Sequence, residues 1–371
     1  MIDSRPISIL IPNLKGGGAE RVAVTLANEF VARGLLTDLV LMRADGVWLA
    51  ALDPRVRVID LHVSRLRNLL WPLVRYLRSS RPSVLMAYMW PVTVIAFAAR
   101  ILSATWCRLV FSEHTTWSGA EIYQVARTRV LIKLTMRSLY RFADAVLAVS
   151  VGSARDLERI AWLRPGGVET IYNPIVGANR SVPAPLQGSG VWVAGDHRRV
   201  IAVGSLKKIK GYSTLLRAFE MVCRNVDARL LILGEGDQRD ELESLAGELG
   251  LSGRVHMPGF TTAPAQYWEH ADLHVLSSDG EGFGNVLVEA LEHGVPVVST
   301  DCPSGPREIL CDGRYGRLVP PGDPDALAIA MLESLREVPD REALMARARD
   351  FTVGAIADQY LHVLLPERGG K

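Results

Sequence analysis

Short apolar runs alternate with longer amphipathic stretches along almost all of the 371-residue chain. Residues 7–11, 38–42, 56–59, 84–87, 108–112 and 145–149 have the length and aliphatic content of strands buried on both faces, as in a parallel sheet. Helix-period segments separate most of them, beginning with residues 19–33. Residues 1–180 therefore predict a doubly wound α/β domain. From 174 to 196 the pattern lapses into Pro, Gly, Ser and Ala, including Ser181, Pro183, Pro185 and Gly188, which places a linker at 181–198. Alternation then restarts with strands at 200–203, 228–233, 273–276 and 295–299 and helices at 212–223, 237–249 and 285–292. A second doubly wound domain, 199–352, follows, and 353–371 reads as a helix returning to the first. The expected fold is α/β, two Rossmann-like domains facing across a cleft, with ligands at the carboxyl ends of their strands.

Composition narrows the class. With 49% apolar and 22% charged residues the chain is an ordinary globular one. Residues 84–102 are apolar enough to suggest a membrane span, but Pro91 interrupts them and Arg100 falls near their end, so they read as a strand followed by a helix. The four cysteines form no C-x-x-C and have no histidine pair at zinc spacing, which fits reduced thiols and no metal site. The N-terminus lacks the basic head and apolar stretch of a signal peptide, so a cytoplasmic location is expected.

The net charge of +2 conceals an asymmetry. Residues 1–180 carry 23 Lys/Arg against 13 Asp/Glu, or +10, and the remainder 19 against 27, or −8. A basic first half calls for an anionic partner. Two segments concentrate it: 66–81, with Arg67, Arg75, Arg78 and Arg81 around Trp71, and 127–141, with Arg127, Arg129, Lys133, Arg137 and Arg141 among leucines. Basic amphipathic helices of this kind lie on anionic lipid, and the same pattern also suits helices packed on a sheet with arginines in water. No nucleic-acid recognition motif is present.

The most informative stretch runs from Glu281 through Gly282, Phe283, Gly284 and Asn285 to Glu289. It follows an apolar strand and a polar turn and opens a helix, so its backbone N–H groups and helix N-terminus suit a diphosphate. Carboxylates that close to a diphosphate serve hydroxyls, such as those of a ribose or a sugar. Val203 to Gly211 ends another strand with Ser205, Lys207, Lys208 and Lys210 in a glycine-flanked turn. Gly16, Gly17 and Gly18 after the first strand allow close backbone approach to a ligand, but they make no G-x-G-x-x-G. Ser112, Glu113 and His114 end a first-domain strand.

Taken together these segments resemble the retaining GT-B glycosyltransferases of glycosyltransferase family 4 (group 1). Glu281 to Glu289 is similar to that family's Glu-x7-Glu motif, and the likeness continues through Gly294-Val295-Pro296 and Ser304-Gly305-Pro306-Arg307-Glu308. The resemblance implies that Glu281 approaches the reacting sugar, that Glu289 holds the ribose hydroxyls, and that the backbone of Phe283, Gly284 and Asn285 meets the phosphates or sugar. It further implies donor contacts from Gly17, Gly18 and Lys210, a sugar contact from His114, and base or donor contacts near Asn173, His256 and Phe260. Ser205 stands where the family commonly has arginine, and Lys207 is the candidate substitute. The function implied is metal-independent transfer of a hexosyl or N-acetylhexosaminyl group, with no cofactor. The donor is a nucleotide diphosphate sugar, in the first place a UDP-sugar. The acceptor is a lipid-linked or envelope saccharide, met at the inner face of the cytoplasmic membrane through the basic domain. A nicotinamide-dependent oxidoreductase or a non-catalytic sugar-nucleotide binder would share the architecture.

Overall fold

The computed structural model describes residues 5–178, 192, 195–262 and 264–366, so most of the predicted linker at 181–198 lies outside the described residues. The chain divides into two compact units: Met1–Ala178 with Phe351–Lys371, and Asn179–Asp350.

The first unit is built on seven parallel strands, β1 (Ile7–Ile11), β2 (Thr37–Leu41), β3 (Arg57–Asp60), β4 (Val84–Tyr88), β5 (Arg108–Glu113), β6 (Ala145–Ala148) and β7 (Glu169–Thr170). Their order is β3-β2-β1-β4-β5-β6-β7. The chain winds one way from β1 and then the other from β4, so the topological switch point lies between these two strands. β1, β2 and β4 are buried throughout; most of their residues are aliphatic, and the buried Ser8 and Asp38 are satisfied by the Tyr76 hydroxyl. β3 departs from expectation. It was read as buried at 56–59, but it is the sheet edge, and Arg57 and Val58 are exposed while Arg57 reaches back to Asp38 on β2. Edge strands keep β-forming side chains while losing one neighbour.

Helices Leu70–Ser80, Val92–Ser103, Ala126–Leu139 and Val151–Ala161 bury their apolar sides in one cluster with β4, β5 and β6. Ser150 starts the last of them through a reciprocal capping box with Ser153. Two arginines of the predicted lipid-facing set close helix ends: Arg78 donates to the Leu102 and Ser103 carbonyls, and Arg137 to the Ile160 carbonyl. A second cluster holds helix Gly18–Ala32 and the returning helix Val353–Leu364. That return is firmly seated. Ile356, Val363 and Leu364 are buried, each contributing about 2 kcal/mol, and Arg108 donates to the Val363 carbonyl.

The second unit has six parallel strands, β8 (Arg198–Val203), β9 (Ala228–Leu233), β10 (Val255–Gly259), β11 (Leu273–Leu276), β12 (Val297–Thr300) and β13 (Arg317–Val319), in the order β10-β9-β8-β11-β12-β13. Its switch point falls between β8 and β11. β12 begins two residues later than the strand expected at 295–299, and β10 and β13 had not been anticipated. No helix among the described residues is long and apolar enough to cross a membrane; residues 84–102 form β4 and part of a helix.

Candidate active site

Ligands of doubly wound sheets bind beyond the carboxyl ends of the strands at the switch point. In the second unit those ends are the turns 204–211 and 277–284, and they are locked to each other. Ser277 Oγ donates to the Lys210 carbonyl at 2.9 Å, and the Asp279 N–H donates to the Ile209 carbonyl at 2.8 Å. Gly211 has φ 61°, and a Cβ there would fall on the Ser277 carbonyl, so glycine is what lets the turns close.

Joining the turns places Lys210 Nζ 2.6 Å from Glu281 Oε1, which also accepts from Ser278 Oγ at 2.7 Å. Both side chains of the ion pair are partly shielded, at 23% and 10% exposure, so water screens the pair less than it would a surface bridge. The family resemblance implies a diphosphate contact for Lys210 and a sugar contact for Glu281; their direct contact with each other and the support from Ser278 emerge only in three dimensions. Helices Tyr212–Cys223 and Asn285–Glu292 begin directly after the two turns, adding two positive dipole ends.

The other predicted residues fall around this centre unequally. Gly284, in the left-handed region at φ 100°, is the N-cap of helix Asn285–Glu292, and Asn285 is its first residue. Phe283 packs its ring inside, and its carbonyl lies where a Cβ on Gly305 would sit. Glu289 is buried within the same helix. Ser205 and Lys207 are exposed. His256 is half-buried on β10, its pKa lowered chiefly by burial, and Phe260 is exposed beyond the strand.

In the first unit the glycine turn after β1 leads into helix Gly18–Ala32 with Gly17 as its N-cap. A Cβ on Gly17 would strike the Glu20 carboxylate, which folds over the turn. Asn173 is buried shortly after β7. His114 follows β5. Its ring stacks on Tyr88 with centroids 4.5 Å apart, its Nε2 lies 3.0 Å from Ser112 Oγ, and burial drives its pKa down to about 3. The imidazole is neutral at physiological pH.

Beneath His114 lies a group that was only weakly visible in sequence. Glu113 is buried, accepts from the Tyr140 hydroxyl and, at 3.2 Å, from Trp117 Nε1, and has a further backbone donor at Trp90. Desolvation outweighs these donors and lifts its pKa from 4.5 to about 7. The folded state thus holds a proton that the unfolded chain has lost above pH 4.5. This group's contribution to stability is complete below that pH and declines as pH rises to about 7, by something on the order of 3 kcal/mol. Glu113→Gln mimics the protonated acid. We expect the melting temperature of the variant minus that of the native protein to rise between pH 5 and pH 8; a constant difference would show that Glu113 does not titrate in this window.

Each unit is thus a doubly wound α/β domain with polar side chains at the carboxyl ends of its strands, a neutral histidine stacked on Tyr88 in the first and a lysine–glutamate pair before two helix N-termini in the second. The chain belongs to the glycosyltransferases of family 4 (group 1): residues 16–176 match the model described as Glycosyltransferase Family 4, and residues 197–337 that of Glycosyl transferases group 1. Among its relatives, an N-acetylgalactosamine-N,N'-diacetylbacillosaminyl-diphospho-undecaprenol 4-alpha-N-acetylgalactosaminyltransferase of Campylobacter jejuni is 33% identical over 73% of each chain. A lipopolysaccharide core biosynthesis glycosyltransferase, LpsE, of Rhizobium meliloti is 29% identical over 94% of this chain and 96% of its own. The fold is GT-B, shared with the Anabaena protein HepE solved with UDP and glucose, at TM-score 0.80, 23% identity and coverage of 98% of this chain and 100% of that one. Family membership sets aside the nicotinamide oxidoreductase.

Proposed function

We propose that this protein is a retaining, metal-independent glycosyltransferase. It moves a hexosyl or N-acetylhexosaminyl group from a UDP-sugar to a lipid-linked or envelope-polysaccharide acceptor. The observation that carries the reading is the Lys210–Glu281 pair at the switch point of the second unit. A nucleoside diphosphate gains negative charge as it departs, and fixed cations and helix dipoles stabilise that charge where it develops. Lys210 and the two helix N-termini are such groups, with Lys207 as an additional cation where Ser205 replaces the family's arginine. When the diphosphate arrives, Lys210 shifts toward it and Glu281 is released to the sugar hydroxyls, while Glu289 holds the ribose. Retention is assigned to front-side attack, in which the leaving phosphate takes the acceptor's proton, since among the described residues none is singled out as a covalent nucleophile.

Relatives and neighbours support the substrate classes. The names quoted above concern lipid-linked and lipopolysaccharide sugars, and HepE was also solved with UDP-glucose. UDP is expected to raise the melting temperature of the protein equally with and without EDTA. Stabilisation that disappears with EDTA would remove metal independence from the proposal, and stabilisation by NAD but not UDP would remove the nucleotide-sugar reading altogether.

The acceptor is proposed to be met at an anionic membrane surface through the first unit. Between residues 65 and 141 the chain carries twelve Lys/Arg against two Asp/Glu, and one of those acids is the buried Glu113. On the helices of that sheet face and the loops around them, Trp71, Ile101, Trp106, Leu134, Phe142 and Trp162 are exposed. Exposed arginines beside exposed tryptophans suit the headgroup region of a bilayer.

A further inference from the structure

The turn 277–284 is fastened on both flanks. On one, Ser277 and Asp279 tie it to the turn after β8. On the other stands Thr300, the last residue of β12 and fully buried. Its hydroxyl donates to the Ser278 carbonyl at 2.5 Å and lies 3.4 Å from the carbonyl of Leu276, the last residue of β11. Farther along the same connection Gly305 packs so closely on the Phe283 carbonyl that no Cβ would fit. The backbone at Ser278 is therefore set by β12 as well as by its own strand.

The Ser278 hydroxyl is buried too. It carries one hydrogen, and a carboxylate only accepts, so the 2.7 Å bond to Glu281 Oε1 runs from serine to glutamate. The same oxygen accepts from Lys210 at 2.6 Å. One carboxylate oxygen thus has two donors of unlike mobility. The ammonium group of Lys210 rides on a flexible four-carbon stem, whereas the Ser278 hydroxyl is a single bond from a backbone pinned by Thr300. Drawing Lys210 away takes the countercharge from a carboxylate that is only 10% exposed, where lost hydrogen bonds are costly. Ser278 stays behind on the same oxygen and limits that cost. Without its hydroxyl the oxygen would depend more heavily on Lys210, and the lysine would be harder to draw off.

We infer that Ser278 and Thr300 are positioning residues that keep Glu281 held in place while Lys210 is surrendered to a nucleoside diphosphate. The surrender rests on the glycosyltransferase reading of this site; the hold of Ser278 on Glu281 does not. Ser278 acts through Glu281, and Thr300 acts through Ser278.

The test uses the full-length protein and UDP alone, so neither the sugar nor the acceptor has to be known. By titration calorimetry Ser278→Ala should weaken UDP binding about fivefold, a coupling of the size found within one hydrogen-bond network, and Thr300→Val about threefold. Thr300→Ser, which keeps the hydroxyl, should bind UDP as the native protein does. In a Glu281→Ala background Ser278→Ala and Thr300→Val should cost nothing, because there is no carboxylate left to hold. Losses of equal size in both backgrounds would make the two residues ordinary supports of the turn and overturn the inference, as would native-like UDP affinity in Ser278→Ala. A second readout needs no nucleotide. Ser278→Ala should lower the melting temperature further when Lys210 is already Met than when it is Lys, and equal losses would overturn the hold on Glu281. If that thermal coupling is found but the native protein binds no UDP, the hold stands and the nucleotide-sugar reading falls.

Discussion

Lys210→Met is expected to lower kcat/KM for transfer by about 10²- to 10³-fold, the range seen when a group aimed at developing transition-state charge is removed. Two effects add in the same direction. The substitution removes the lysine paired to Glu281, so on the proposed reading the departing diphosphate loses a fixed positive charge. It also leaves the Glu281 carboxylate, 10% exposed, with Ser278 in place of an ammonium group, which raises the cost of bringing a diphosphate beside it. Donor KM should therefore rise together with the fall in kcat. Glu281→Gln keeps an oxygen for Ser278 and should lower kcat more than it raises KM, whereas Glu289→Gln should chiefly raise KM. Since Lys210 and Glu281 touch, the double variant should be less impaired than the product of the single effects. Steady-state kinetics of UDP release on the four variants and the native enzyme decides this, and Lys210 and Glu281 single variants within threefold of the native enzyme would return the pair to a structural salt bridge.

Membrane attachment is the second large effect. Each exposed Lys or Arg near an anionic surface contributes about 1 kcal/mol, and the attraction decays over roughly 8 Å at physiological salt. Arg67, Arg75, Arg127 and Arg129 are exposed and free of helix-capping duty, so together they supply about 4 kcal/mol, to which Trp71 and its apolar neighbours add burial. The protein is expected to cosediment with vesicles containing phosphatidylglycerol, to ignore vesicles of phosphatidylcholine alone, and to be released at 1 M salt. Reversing Arg67, Arg75, Arg127 and Arg129 should abolish binding and leave UDP stabilisation intact. Arg78 and Arg137 are unsuitable for this test despite their place in the basic segments, because each closes a helix end and its loss would weaken the packing as well as the charge. An unmodified protein that fails to sediment with the anionic vesicles at low salt would point to a soluble acceptor.

The parts of this enzyme that could be read in sequence are those whose meaning is local. β1, β4 and β9 declare themselves because strands buried on both faces are predominantly apolar, and Glu281 to Glu289 because turn, helix start and both carboxylates fall within nine residues. β13 was invisible for the opposite reason: its three residues are too few to establish a period. β10 includes a histidine and a proline, which break the apolar run that marked the others. The surroundings of Glu113 failed a third way. Trp90 lies in the connection from β4 to β5 and Trp117 and Tyr140 at opposite ends of the connection from β5 to β6, and only the order of β4, β5 and β6 in the sheet converts them into one shell. Ser278 lay in view, three residues from Glu281, yet a serine in a polar turn has no signature that separates a carboxylate's support from an ordinary loop residue.

The return of the chain at Phe351 also dictates an order of events during synthesis. Ile356, Ala357, Tyr360, Val363 and Leu364 complete the apolar cluster against helix Gly18–Ala32, yet they are translated after every strand of both sheets. The second unit, continuous in sequence, can finish folding while it emerges from the ribosome, whereas the cluster of the first stays incomplete until residues that follow the whole second unit have been made. Nascent chains of this enzyme therefore carry a long-lived apolar groove. Chaperone demand should fall on the half that was synthesised first, since the cluster around helix Gly18–Ala32 closes only after the second unit has been made.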